Sequence, residues 1–134
     1  MLPILPERLG GFEMPEKQIG GEILKGHVAA LVLAVVGEGP RHGYDIMKIL
    51  WERSEGVFEL GQGTIYPLLY ALEEEGLVKS SDEVVDGRRR RMYSLTSKGR
   101  KRLAEKRETW KVFQAAVNNV LEPRLKGGLA YAGV

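Results

Sequence analysis

The chain has 134 residues, of which 43% are hydrophobic and 28% charged, with a formal net charge of +2 and no cysteine. That is enough for one packed domain with an appended element, and it excludes a disulfide framework, a thiolate metal site and thiol chemistry. The small net charge hides a segregation: from Gly87 to Arg107 ten bases stand against Glu105 alone, while acids gather at Glu73, Glu74, Glu75, Asp82 and Glu83.

Met1 to Gly21 carries three prolines and four glycines among scattered Leu and Ile. It reads as an irregular arm and not as a domain. Glu22 to Val36 reads as the first helix, with Leu24, Val28, Leu31, Val32 and Val35 at helical spacing and three alanines favouring helix over strand. Its other face is apolar too, so both sides need cover. One side meets this chain's core; a partner chain is expected on the other, with Leu24, Val28 and Leu31 assigned to a dimer interface. The most apolar run, Val28 to Val36, is nine residues long, against the roughly 20 that span a bilayer. The N-terminus lacks the charged start and apolar stretch of a secretion signal. A cytoplasmic protein without membrane contact is expected.

Gly37-Glu38-Gly39-Pro40 breaks the helix, and the second runs from about Tyr44 to Arg53 with Ile46, Ile49 and Leu50 inward. His42 and His27 belong to no ligand cluster, so neither a metal nor a cofactor is expected. Gly56 to Gly63 reads as a loop. In the third helix Ile65, Leu68, Leu69 and Leu72 form the inward stripe. Taking Thr64 as its N-cap puts Pro67 in the first turn, where no backbone donor is needed. Gln62, Thr64, Tyr66, Pro67 and Tyr70 are then left at the N-terminus and on the outward face, and a helix N-terminus favours a phosphate. The alternative is an ordinary capped surface helix.

Gly76 suits a helix C-cap. Leu77 to Ser80 and Met92 to Leu95 read as strands, with Asp86-Gly87 as the turn between them. Arg88 to Arg91 lie on the turn and the returning strand. Strand alternation prevents all four from facing one surface, so two or three are expected to reach phosphates or a minor groove and one to pack or pair. A helix followed at once by a basic hairpin fits the reading end of a winged helix-turn-helix, the helix in a DNA major groove and the hairpin over the adjoining backbone. A basic run of this kind is also compatible with a plain solvated face, or with docking of an acidic protein.

Thr96 to Leu121 reads as the last helix, about 39 Å long at 1.5 Å per residue. Leu103, Trp110, Phe113, Val117 and Val120 or Leu121 keep a 3–4 spacing, interrupted by Lys106, which suits pairing with a second helix. No nucleophile–base pair or metal cluster appears, and Gly61-Gln62-Gly63 is too short to count as a phosphate loop. No enzyme is expected. The expected fold class is mainly α with a small β-hairpin wing (α+β), divided into an arm (1–21), a winged helix-turn-helix (22–95), a dimerisation helix (96–121) and a tail (122–134).

Three runs, LKGHVAALVLAVVGEGPRHGYDIMKIL, GTIYPLLYALEEEGLV and GRRRRMYSLTSKGRKRL, occur in that order. Together they resemble the PadR family of transcriptional regulators over about Ile23 to Leu121, with a single long final helix like the family's shorter branch. The resemblance implies a winged helix-turn-helix that binds operator DNA as a homodimer and usually represses. It implies that Thr64, Tyr66 and Tyr70 meet DNA from the recognition helix, that Tyr44 lies near the backbone, and that Arg88, Arg89 and Arg90 form the basic wing tip. In the branch that binds flat aromatic molecules a tryptophan on the final helix faces its mate across a pore. Trp110 matches that place, with Phe113 beside it, which implies a small planar aromatic effector. Simple packing in a dimer seam is the alternative for both rings.

Overall fold

The computed structural model describes residues 26–123. Leu24, the N-terminal arm and the tail beyond Pro123 lie outside these residues. Along the described chain come α1 (Val28–Val36), α2 (Gly43–Arg53), α3 (Gln62–Glu74), β1 (Val78–Val85), β2 (Arg88–Leu95) and α4 (Ser97–Leu121). This is the expected α+β class, four helices and one antiparallel hairpin among the described residues. The chain divides into two compact units, the first ending at Leu103 and the second starting at Ala104.

The first unit is built around Val32, Leu33, Val36, Ile46, Met47, Ile65, Leu69, Leu77 and Val78, all essentially buried. Each such side chain removed from water contributes about 1.5–3 kcal/mol. The inward stripe expected in the third helix is confirmed at Ile65, Leu69 and Leu72, with Leu68 half-buried against the same cluster. Met47 and Trp51 are buried as well, which the i, i+3 reading of the second helix had left out. Ahead of α1, Gly26 and His27 form a turn, so the described part of that helix starts later than Glu22. Val28 is buried within the chain's own core, and Leu31 packs half-buried against it.

Two expectations need correction. Thr64 is not the N-cap of the third helix; Gly61 is, and its carbonyl accepts from the amides of Thr64 and Ile65. The helix therefore starts at Gln62 and Pro67 is its sixth residue, inside the helix and not in the first turn. A proline there has no N–H to offer the Gly63 carbonyl four residues back. Gly63 is exposed, with open space where a side chain would stand. The strands are also longer than Leu77–Ser80 and Met92–Leu95, with eight residues each, and β2 takes in all four arginines.

Glycine chemistry sets both ends of the hairpin. Asp86 and Gly87 have φ of +53° and +78°, the left-handed pair that a two-residue turn between twisted strands requires. Gly76, at φ +78°, closes α3. Its amide bonds the Glu73 carbonyl and the Leu77 amide bonds the Leu72 carbonyl, the paired bonds of a Schellman cap. The hairpin is extended by one residue on its other edge, where Arg41 and Tyr93 exchange both backbone hydrogen bonds at 3.0 and 2.8 Å. The loop carrying Arg41 is held by Glu38, whose carboxylate forks onto Arg53 at 2.6 and 2.7 Å and reaches Arg41 at 3.2 Å. Hydrogen bonding from Arg53 above all brings the Glu38 carboxyl down to about 2. The groups are exposed, so this fork orders the loop more than it stabilises the fold.

Where β2 ends, Thr96 caps α4. Its hydroxyl accepts from the Gly99 amide at 2.9 Å and donates back to the Gly76 carbonyl at 2.7 Å, with the Leu77 carbonyl at 3.0 Å. Gly99 lies so close to Leu77 that a Cβ would overlap the Leu77 carbonyl, which is backbone and cannot swing away. Leu103 is buried beside Leu95 and Gly37. That uses it inside the chain and leaves nothing of it for the dimer seam expected from its spacing. Gly99→Ala is expected to cost about 1–3 kcal/mol of folding free energy through overpacking, read as a lower midpoint in urea denaturation with the slope unchanged.

Candidate nucleic-acid interface

On α3 the apolar stripe faces the core, which leaves Gln62, Thr64, Pro67 and Tyr70 exposed, as read from the sequence. Tyr66 differs from them. It is half-buried, and its ring lies over Gly43, where a Cβ would come within 2.5 Å of the phenol ring. Gly43 is the first residue of α2, so the two helices meet by a bare glycine backbone against an aromatic face. Tyr70 stands one turn on with its ring centroid 6.5 Å from that of Tyr66, and it is 56% exposed. The outward set thus divides into one tyrosine that fixes the angle between helices and one that is open to solvent.

Two of the three acids at the far end of α3 have side-chain partners. Glu73 accepts from the Ser80 hydroxyl at 2.6 Å, and Arg102 lies 3.4 Å from the Glu75 carboxylate. Lys98 donates to the Glu75 carbonyl at 2.8 Å, a cation on a helix C-terminus. Two cations, Lys98 and Arg102, thus lie at the acidic end of α3.

The hairpin register sets Asp82 opposite Arg91, Glu83 opposite Arg90, Val84 opposite Arg89 and Val85 opposite Arg88. Arg91 pairs with Asp82 at 3.1 Å. One arginine of the four is thus spent on pairing, as strand alternation led us to expect. Glu83 is drawn to the Ser81 hydroxyl at 3.1 Å. Among the described residues Arg88, Arg89 and Arg90 form no ion pair. Arg88 and Arg89 are exposed, while Arg90 is half-buried and acts electrostatically on His42.

His42 has a structural role that its sequence position only hinted at. It is the N-cap of α2, its Nδ1 accepting from the Asp45 amide at 3.3 Å and its Nε2 lying 3.1 Å from the Asp45 carboxylate. A cap residue followed three positions later by an acid is the signal that could have identified it. Tyr44, next along α2, is 40% exposed. In the second unit Trp110 and Phe113 stack at 5.8 Å with their planes tilted by 39°, and both are about half exposed, as are Val120 and Leu121 to a greater degree. Val117 is half-buried. No group of three His, Asp or Glu side chains suited to a metal occurs among the described residues, and no helix there is long and apolar enough to cross a membrane.

Two helices joined by a short loop, the second open along one side and followed by a basic hairpin, define a winged helix-turn-helix. The family model described as the transcriptional regulator PadR-like family matches residues 32–105. The chain belongs to that family, and it is a transcriptional regulator. A PadR-like transcriptional regulator from Bacillus cereus is similar in structure, with a TM-score of 0.69 and 29% identity over 75% of this chain and 96% of that one. A PadR family regulator from Eggerthella lenta gives a TM-score of 0.66 at 30% identity, covering 77% and 88% of the two chains. In sequence, the transcriptional regulator Rv3488 of Mycobacterium tuberculosis is 46% identical over 56 residues, which is 42% of this chain and 52% of that one. The family and these relatives are regulators and not enzymes.

The two tyrosines should separate in a stability measurement. Tyr66→Ala is expected to destabilise the fold by about 1–3 kcal/mol, because it empties the seat on Gly43, whereas Tyr70→Ala should stay within about 0.5 kcal/mol. Thermal or urea unfolding of the two variants checks this, and equal losses would contradict it.

Proposed function

We propose that the protein is a cytoplasmic homodimeric repressor that binds operator duplex DNA sequence-specifically and is released by a small planar aromatic effector. The observation that carries the reading is the charge left over on the hairpin. Asp82 and Ser81 draw off one arginine and one acid, and three arginines with no ion pair remain. Phosphates are the complementary partner for such a surface. Gln62, Thr64, Pro67 and Tyr70 supply the exposed side chains for base edges. Tyr44, at the open end of α2, is assigned to the backbone beside them.

A second copy of the chain accounts for the apolar surface of α4. Trp110, Phe113, Val120 and Leu121 leave large apolar side chains in water, which is the mark of an association surface. The seam we assign comprises these four with Val117; Val28 and Leu103, buried inside the chain, drop out of it, and Leu31 contributes at most an edge. The stacked Trp110 and Phe113 rings are the natural contact for a flat aromatic effector.

DNA binding should be steeply salt-dependent, and replacing Arg88, Arg89 and Arg90 by alanine should weaken binding to all sequences. The log–log salt slope should flatten by about 0.9 for each phosphate contact removed. Absence of any duplex binding by the purified protein in low salt would sink the reading, and capture of an acidic protein instead would favour a protein-docking role for the wing. For the dimer and its effector, Trp110→Glu is expected to give monomers in sedimentation while helical content is kept. In a Trp51→Phe background, which removes the buried tryptophan, planar aromatic cations or phenolic acids should quench Trp110 and lower DNA affinity. Neither quenching nor a change in affinity would remove the effector.

A further inference from the structure

We infer that His42 is a positioning residue for DNA binding, holding the first turn of α2 only while its imidazole is neutral, so that mild acid loosens the grip on DNA. The inference rests on the DNA-binding reading above and adds a control to it. Its basis is the bonding of the ring. Nδ1 accepts from the Asp45 amide, so the ring proton sits on Nε2, which lies 3.1 Å from the Asp45 carboxylate. A second proton would have to go on Nδ1, against the amide hydrogen it now receives. Protonation therefore removes the cap from α2.

The consequences follow from what that turn supports. Gly43, the next residue, is the seat of Tyr66 from α3, and Tyr44 after it is exposed. Loosening the turn shifts α2 and α3 against each other and moves Tyr44. The charged surroundings offer limited help to an imidazolium. Asp45 on α2 favours it, Arg90 on β2 opposes it, and Arg41 on the preceding loop is paired with Glu38, which also binds Arg53. From α3 the residue packed beside it is Tyr66, whose ring sits on Gly43. The His42 side chain is only 14% exposed.

Burial lowers the imidazole below its ordinary value of 6.5; Asp45 works against this and Arg90 with it. A histidine depressed in the folded state takes up its proton more readily once the structure around it opens. The stability supplied by the neutral cap is thus full above about pH 6.5 and is lost progressively as pH falls from there toward the folded-state value.

The test uses the full chain and a duplex selected from random DNA by the wild-type protein at about pH 7.5, with affinity measured at about pH 7.5 and 5.5 in constant salt. The wild-type Kd is expected to rise on acidification, by less than about tenfold, the limit for one proton taken up by a group whose folded value lies below 6.5. For His42→Asn, whose amide can cap but cannot be protonated, the ratio of the two Kd values should be close to one; His42→Ala should bind weakly at both pH values. His27 is present in every variant and cancels. A flat wild-type ratio, or the same rise in His42→Asn, overturns the inference. If no variant binds duplex DNA, the DNA reading fails and melting temperature decides about His42. A fall between the two pH values that His42→Asn lacks supports the cap, and an equal fall refutes it.

Discussion

The Leu77 carbonyl is the point on which the reading head is hung. It accepts from the Thr96 amide at 3.1 Å, lies 3.0 Å from the Thr96 hydroxyl, and presses on the glycine at position 99. This joins the end of α3 to the start of α4, and the whole hairpin becomes a closed excursion from one fixed point. The position of Arg88 to Arg90 relative to α3 then follows from the length of two strands and a two-residue turn. A side chain at Gly99 would force the two helix ends apart and carry the arginines with them.

Around that junction the charges are distributed by pairing more than by number. At the C-terminal end of α3 Glu73 accepts from Ser80, the Glu75 carboxylate is met by Arg102, and the Glu75 carbonyl by Lys98. Arg53 and Arg41 are taken by Glu38, and Arg91 by Asp82. The net charge of +2 therefore says little about the face that matters. What does matter is that the paired groups lie at the end of α3, in the loop before α2 and midway along the hairpin, while Arg88 to Arg90, without an ion pair among the described residues, follow directly on the turn. The first half of α3 carries no acid at all, so nothing there repels a phosphate.

Much of this was readable in the residues because the periodicities are strong. The stripe Ile65, Leu69, Leu72, the turn Asp86-Gly87 and the glycine cap at Gly76 are local signals, and the structure follows them. The resemblance of GTIYPLL and YSLTSKGR to a known family was equally legible. The errors came where a local rule met a tertiary one. Thr64 is a better capping residue than Gly61, yet the helix begins at Gln62 and takes Pro67 into its second turn, four residues after an exposed glycine. Leu103 kept the spacing of a dimer seam but sits in the first two turns of α4, which belong to the core. The seat of Tyr66 on Gly43 and the bond between Arg41 and Tyr93 join residues far apart in sequence, and no spacing rule reports such pairs. His42 was distinguishable only through Asp45 three residues later.

In the proposed complex duplex DNA meets the N-terminal half of α3 and the near side of the hairpin, while the acidic end of α3 stays clear of it. Amide chemical-shift mapping of the labelled protein on addition of a bound duplex tests that most directly. Large changes are expected at Gln62, Gly63, Thr64, Tyr70 and Arg88 to Arg90, with small ones at Glu73 to Glu75 and at Glu52. Changes centred on those acids, or on the Glu38 loop and away from the arginines, would contradict it.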